Sequence, residues 1–527
     1  MINFWERSQM RRAAVLAGVA LAAVGGIAAP AAAAPAPAGT IANPGFEAGT
    51  GQAPAGWTES GTTAASFVEA GGHSGTAQLT HHGDAAYAVT TQQRLTGLKK
   101  GTWTLGLRVR SSGNQPDAYV ALRDCGSARD QRVAVPRTGD QWVRLAVTAK
   151  VSAAGRCTLV LHSTAAAGQW TNFDDLVLDR TGAEVGTPLA IAGADVSHVT
   201  TNEAHGAVYR TANGARKDPF KLLADNDVNY IRLKVWVDPV DGYNDKDDVL
   251  AKARRAHKAG QKLLIDFHYS DAWADPGKQF KPAAWAELPF EQLRQAVYDH
   301  TYDVLSALRK QGTPADMAQV GNEINGGMLW PDGRWDNWDG LAALLTSGSN
   351  AVKAASPRTK VVLHLAEGGD NGAHRWWYDQ AVSRGVPFDV IGVSHYVYWH
   401  GSLGELQHNL TDLAARYGKP VMVAETAYGF TTAENDHETN IFNPALAEAG
   451  GYPATPRGQA DALRDIMTVV AGVPGALGVF YWEATWTARD GAGWDPADPA
   501  SGDGWENQAL FGYDDRALPA LSVFTKF

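Results

Sequence analysis

Two glutamates, Glu323 and Glu425, each close a short apolar run that reads as a buried parallel strand: Ala318-Gln-Val-Gly-Asn-Glu-Ile324 and Pro420-Val-Met-Val-Ala-Glu-Thr-Ala-Tyr428. A carboxylate at the carboxyl end of such a strand points into the mouth of a parallel barrel, where barrel enzymes do their chemistry. Two of them equip a site for glycosidic-bond hydrolysis, which needs one carboxylic acid to protonate the leaving oxygen and one carboxylate as nucleophile or base. Glu323 takes the role of acid/base because a neighbouring negative charge and partial burial raise its pKa. Glu425 takes the role of nucleophile, kept ionised by donors such as Arg232 or Tyr396. Asn322 is placed to hydrogen-bond the sugar 2-hydroxyl.

Those residues need a scaffold. From Leu189 onward, apolar runs alternate with helical patterns, the signature of βα units. Eight runs can be counted: Ala190–Ala194, Tyr230–Trp236, Lys262–Phe267, Ala318–Gly321, Lys360–Leu365, Asp389–Val393, Val421–Ala424 and Ala476–Tyr481. Eight repeats over residues 189–527 predict a (β/α)8 barrel of the α/β class. No glycine-rich phosphate loop follows the first run, which argues against an open doubly wound sheet. Polar residues gather where the runs stop: Asp195 and His198, Arg232, Asp266 with His268 and Asp271, Asn322 with Glu323, Glu367, His395 with Tyr396, Glu425, and Trp482 with Glu483. A core does not explain such a set, because an unpaired buried charge costs several kcal/mol. From it, Asn322, Arg232, Asp266, His268, His395, Tyr396 and Trp482 are expected to bind substrate. Of the loop tryptophans whose flat faces could stack on sugar rings, Trp482 and Trp330 are the ones selected. A metal-dependent hydrolase would need clustered histidine ligands, and His268 and His395 lack His-x-His partners.

Residues 38–180 have a different texture. Short alternating runs such as Thr102–Arg110, Trp142–Thr148 and Cys157–Leu161 are separated by Gly, Ser and Asn turns, which predicts an all-β sandwich of the jelly-roll kind. Residues 181–188 read as a linker. The chain's two cysteines, Cys125 and Cys157, both fall in the sandwich and are expected to pair. Residues 1–34 read as an export signal, with Arg11-Arg12 before an apolar run and a small-residue cleavage site; the run suits Sec or twin-arginine export and is short for a membrane span. The expectation is a secreted monomer. A formal net charge of −10, with no Lys/Arg clusters, disfavours nucleic acid or an anionic membrane as a partner and suits a neutral polymer such as a polysaccharide.

The longer strings around the strand ends narrow the reading. Gly193–Ser197, Tyr230–Pro239, Asp266-Phe-His-Tyr-Ser-Asp-Ala-Trp-Ala-Asp-Pro-Gly-Lys-Gln279, Gln319–Ile324 and Tyr481–Trp486 resemble glycoside hydrolase family 53, the arabinogalactan endo-β-1,4-galactanases of clan A. The resemblance spans about 188–527. It implies that Glu323 is the proton donor and Glu425 the nucleophile of a retaining mechanism. It also implies β-1,4-galactan as substrate and no cofactor for catalysis. It further implies a structural calcium in the loop after strand seven, with Asp436, the His437 carbonyl and Asn440 as donors alongside 495–503. Another clan A activity, of mannanase or glucanase type, shares the catalytic pair and is the alternative; a barrel that binds polysaccharide without cutting it is a more distant one. The sandwich, from Asn43-Pro-Gly-Phe-Glu47 to Trp170–Leu178, resembles carbohydrate-binding modules, with Trp57, Tyr87 and Trp103 as expected platform residues.

Overall fold

The structure is a computed structural model; it describes residues 39–527 except 53, 127–128 and 181–188. The expected export signal and linker lie outside the described residues. In the N-terminal part, alternation of apolar and polar residues builds two antiparallel sheets. One has six strands, in the order Gly51–Gln52, Ser66–Ala70, Ala77–His82, Trp170–Asp179, Gly101–Ser111 and Gly139–Val151. The other has five: Thr58–Gly61, Tyr87–Thr96, Arg156–Ala165, Asp117–Arg123 and Gln131–Ala134. Tyr87–Thr96 buries every second residue, as a strand with one face in a core must. Leu79, Leu105, Leu107, Val143, Leu159, Leu161 and Phe173 fill the space between the sheets. Cys125 and Cys157 are joined in a disulfide. Trp57 and Tyr87 are buried; the Tyr87 hydroxyl donates to main-chain carbonyls, that of His81 at 2.9 Å among them. These two aromatics belong to the core and present no face to a ligand. Trp103 packs partly buried against the same core.

The second part is a closed barrel of eight parallel strands: Ile191–Asp195, Tyr230–Val235, Lys262–Phe267, Met317–Val320, Lys360–Leu365, Val390–Ser394, Val421–Thr426 and Ala476–Tyr481. The (β/α)8 expectation is borne out, with helices such as Lys246–Lys258, Phe290–Lys310 and Pro456–Ala471 between strands. Side-chain caps start several of the helices: Asp245 accepts the N–H of Asp248 at 2.8 Å, and Ser402 and Glu405 form a reciprocal capping box at the start of Leu403–Tyr417. Alternate residues of each strand face the barrel axis. The floor they make is apolar: Ile191, Tyr230, Leu264, Met317, Val362, Val390, Met422 and Phe480. Two residues further along, the inward positions turn polar, with Arg232, Asp266, Gln319 and His364. That change from apolar floor to polar layer is what creates a site.

The sandwich sits directly on the barrel. The Arg144 N–H and C=O pair with the amide of Gln407, at 2.6 and 3.0 Å, and the Arg137 N–H donates to Asp465 at 2.8 Å. Among the described residues no helix is long and apolar enough to cross a membrane.

Candidate active site

Glu425 owes its position to an irregularity. Strand six pairs with strand seven through Val393–Val423 and then Ser394–Glu425, so Ala424 is an extra residue. A bulge of this kind re-aims the side chain that follows it. Glu425, which simple alternation from Met422 would turn outward, instead meets Arg232 at the axis. Glu323 is placed by backbone conformation: it stands three residues past strand four with φ +47°, following Gly321 at φ +87°. Tyr269, Glu367 and Glu483, near the ends of strands three, five and eight, also have positive φ. Non-glycine residues rarely adopt this region, at a cost of about 1–3 kcal/mol each, and they collect at functional sites.

Arg232 is the hub. Its guanidinium reaches Asp195 at 2.9 Å, Asp266 at 2.8 Å and Glu425 at 2.7 Å, and donates to Asn322 Oδ1 at 2.9 Å. Burial works against its charge, but Asp266, Glu425 and Asp195 outweigh that and hold it protonated more firmly than usual. Burial likewise favours the neutral form of Asp266, yet Arg232 and His268 keep that carboxyl below its ordinary range. His268 Nδ1 accepts from the Ala274 N–H at 3.0 Å and the Trp236 indole at 3.3 Å, so its Nε2–H donates to Asp266 at 3.0 Å. Asn322 donates one amide proton to the Ala274 carbonyl at 2.9 Å; its NH2 group has a second.

The two glutamates sit in unlike surroundings. Glu425 accepts from the Tyr396 hydroxyl at 3.1 Å and is paired with Arg232. Burial raises its pKa to about 7, with Arg232 and Tyr396 opposing the rise. Glu323 is held well above the ordinary carboxyl range by burial and by the charge of Glu425, and only Ser394 and the more distant Arg232 oppose. Glu425 is therefore the first of the pair to lose its proton, and Glu323 keeps its own while Glu425 is ionised. Such a pair offers a proton donor and a nucleophile at one pH. Ser394 is itself oriented by His364, whose Nε2 lies 2.8 Å from its hydroxyl; burial keeps that imidazole neutral.

Arg232, Asp266, His268, Asn322, Tyr396 and the two glutamates thus form one connected network. His395 is fully buried beside it, its N–H donating to the Glu425 carbonyl at 2.8 Å; neither ring nitrogen has a partner in the protein. Trp482 stands edge-to-face with Trp505 at 4.6 Å and lies 5.8 Å from Trp273. Trp330 is set further out, its indole donating to the Gly326 carbonyl at 2.8 Å. Sequence reasoning missed Gln319, His364, Ser394 and Lys234. Gln319 donates to Asp266 at 2.5 Å. Lys234 pairs with Glu483 at 2.7 Å beneath the ring of Trp273, 3.9 Å from its centre, and Glu483 also holds His198 at 2.7 Å. Their signal was a polar residue at alternate positions of an otherwise apolar strand.

Around Asp436, His437 and Asn440 the loops after strands seven and eight meet, and Asn440 Oδ1, Asp503 Oδ2 and Glu506 Oε2 are buried there with no hydrogen-bond partner in the protein. Both carboxylate oxygens of Asp436 already accept main-chain N–H groups, from Glu438 and Asp503, each at 2.7 Å. His437 is exposed, and Asn440 donates to the Ala433 carbonyl and to Glu506, each at 3.3 Å. Direct hydrogen bonds thus tie the loop after strand seven to the loop after strand eight. Among the described residues, no group of three or more His, Cys, Asp or Glu side chains is disposed to hold a metal ion.

Comparison with known proteins follows the barrel. An endo-beta-1,4-galactanase of Bacillus subtilis (strain 168) is 37% identical over 369 residues, covering 63% of this chain and 85% of that one. An arabinogalactan endo-beta-1,4-galactanase of Cellvibrio japonicus (strain Ueda107) is 39% identical over 360 residues, 66% of this chain and 93% of that one. The solved GH53 catalytic domain of Ignisphaera aggregans superposes with a TM-score of 0.62 at 42% identity, over 64% of this chain and 96% of that one. A family model described as "Glycosyl hydrolase family 53" matches residues 191–524, from the first barrel strand almost to the last residue. With its whole barrel inside that match, the chain belongs to glycosyl hydrolase family 53.

Proposed function

We propose that this chain is an endo-β-1,4-galactanase that hydrolyses internal bonds of type I arabinogalactan by a retaining double displacement. The observation that carries the reading is the unequal environment of the two carboxyls: Glu425 is paired with Arg232 at 2.7 Å and accepts from Tyr396 at 3.1 Å, whereas burial and the charge of Glu425 hold the Glu323 carboxyl well above its ordinary range. The galactanase names borne by the Bacillus and Cellvibrio relatives support the substrate. In the first step the ionised Glu425 attacks the anomeric carbon while Glu323 gives its proton to the departing glycosidic oxygen. A covalent glycosyl–Glu425 ester results. In the second step Glu323, now a carboxylate, takes a proton from water, which attacks the same carbon and releases Glu425. Asn322 would use its second amide proton on the sugar 2-hydroxyl. Arg232 and Tyr396 keep the nucleophile charged and oriented. Trp482, in its nest of Trp273 and Trp505, would stack on a sugar ring.

We also propose that the chain is secreted, supported by the basic and apolar character of residues 1–34, and that its sandwich binds carbohydrate. A surface for the latter is the outer side of the five-stranded sheet, where Tyr119 lies 4.8 Å from His162 and under Arg132 at 5.0 Å. The enzymatic reading is tested by reducing-sugar release from purified β-1,4-galactan, β-1,3-galactan, mannan and xylan, with proton NMR of the first product. Release from β-1,4-galactan with the β anomer appearing first is expected. Release from another polymer alone would overturn the substrate, and an initial α anomer would overturn retention.

A further inference from the structure

Two tryptophans on the catalytic rim have no part in the network above. Trp335, in the loop after strand four, is 45% exposed, and Trp376, in helix Asn371–Ser383 after strand five, is 46% exposed. Their ring centres are 6.5 Å apart with the planes at 68°. Trp376 is braced edge-on by Trp338 at 5.8 Å, and Trp338 is itself buried, with the Arg384 guanidinium 5.7 Å from its ring. An exposed large aromatic pair held in place by buried neighbours is an expensive surface to keep without a partner, and such patches mark interaction sites.

Their placement says which partner. In a βα unit the loop after a strand and the first turns of the following helix lie at the barrel's catalytic end; Trp335 is in such a loop and Trp376 in the second turn of such a helix. Both are tied to the turn Ile324–Gly326 that follows Glu323 directly. The Trp335 N–H donates to the Gly326 carbonyl at 3.1 Å. Trp377, next to Trp376, donates its indole N–H to the Ile324 carbonyl at 3.0 Å. The same turn holds Trp330, and Phe280, 63% exposed, stands edge-on to it at 6.2 Å. Aromatic surface therefore extends outward from the acid Glu323, on strand four. Trp482 and Trp505 follow strand eight, diametrically opposite strand four in the closed order of strands. A polymer lying across the mouth from strand eight to strand four would have its leaving-group portion on the Glu323 side, because the acid must reach the departing oxygen.

We propose that Trp335 and Trp376 form a stacking platform for sugar residues of the leaving-group portion of the polymer, beyond the residues next to the cleaved bond. This rests on the galactanase reading. The platform contributes to holding a long chain and nothing to a short one.

The test compares the unaltered enzyme with W335A/W376A and W335Y/W376Y on long β-1,4-galactan and on a short β-1,4-galacto-oligosaccharide. For the alanine pair, KM on the polymer is expected to rise about five- to tenfold with kcat within about twofold, an aromatic contact being worth that much. The short substrate should be turned over as before. The tyrosine pair should restore most of the polymer KM. An unaltered polymer KM in the alanine pair, or an equal loss on both substrates, overturns the platform while leaving the galactanase reading intact. A change only in self-association by sedimentation, with KM untouched, overturns it in favour of a contact between copies. An unaltered enzyme that releases nothing from galactan overturns the underlying reading, and the platform with it.

Discussion

The hydrogen bond from Tyr396 to Glu425 offers a direct measurement of how the nucleophile is kept ionised. Tyr396→Phe removes a single oxygen and leaves the ring in place. Glu425 then loses a donor at 3.1 Å but keeps Arg232 at 2.7 Å. A hydrogen bond to a charged group contributes roughly 1.5–3 kcal/mol, and one pH unit corresponds to about 1.4 kcal/mol. The Tyr396 side chain is buried, so water cannot readily replace the lost donor. Glu425 should therefore hold its proton to a pH about one to two units higher. Since the nucleophile must be ionised to attack, the acid limb of kcat/KM moves upward by that amount. The basic limb, which reports loss of the proton from Glu323, should move much less. The assay is kcat/KM on galactan across the pH range, with thermal melting to show that the variant is folded. An acid limb that stays in place in a folded variant, or moves downward, would refute the assignment of Glu425 as the group Tyr396 keeps ionised.

Two further outcomes concern the acid of the site and the core of the sandwich. Glu323→Gln should lower kcat on galactan about 10²- to 10⁴-fold, the usual worth of a general acid, and should abolish the basic limb; an aryl galactoside whose leaving group needs no proton should suffer far less at the first step, and equal losses on both would count against Glu323 as the acid. In the sandwich core, His81 is buried between Ser163 and Thr91, at 3.0 Å from each, and burial lowers its pKa to about 3. Its contribution is complete above the unfolded value near 6.5 and is lost as pH falls from there toward 3, because the unfolded chain takes up a proton the folded one refuses. The stability advantage of the unaltered protein over His81→Gln should thus shrink by about 2 kcal/mol between pH 6.5 and 5; urea unfolding giving one difference at both pH values would contradict this.

The eight barrel strands were legible because each is a short run buried on both faces, and such runs are conspicuous between amphipathic helices. Polar residues at strand ends were legible for the same reason: they interrupt the run. Gln319, His364 and Lys234 escaped notice because they lie inside runs, where a single polar residue resembles noise until the strand's inward parity is known. Ser394 is small enough to pass as filler. In the sandwich, Trp57 and Tyr87 were mistaken for a binding surface because alternation separates two faces without saying which one meets the second sheet. The loop read as a calcium site is harder to judge from sequence for a different reason. Oxygen-rich sequence in a loop does not distinguish oxygens taken up by the loop's own N–H groups, as those of Asp436 are, from oxygens left without a partner, as Asn440 Oδ1 is.

The extra residue at Ala424 makes strand seven count differently from a regular strand. Parity decides what each residue of a strand sees, so the odd spacing from Met422 to Glu425 leads to the interior only because the bulge absorbs one residue; a regular strand would need an even spacing to do the same. A protein engineer who grafts loops or shuffles half-barrels across this strand must therefore carry spacing and bulge together, because an odd spacing without the bulge, or an even one with it, turns the carboxylate toward the helices. Catalysis in this fold depends on arithmetic as much as on the carboxylate.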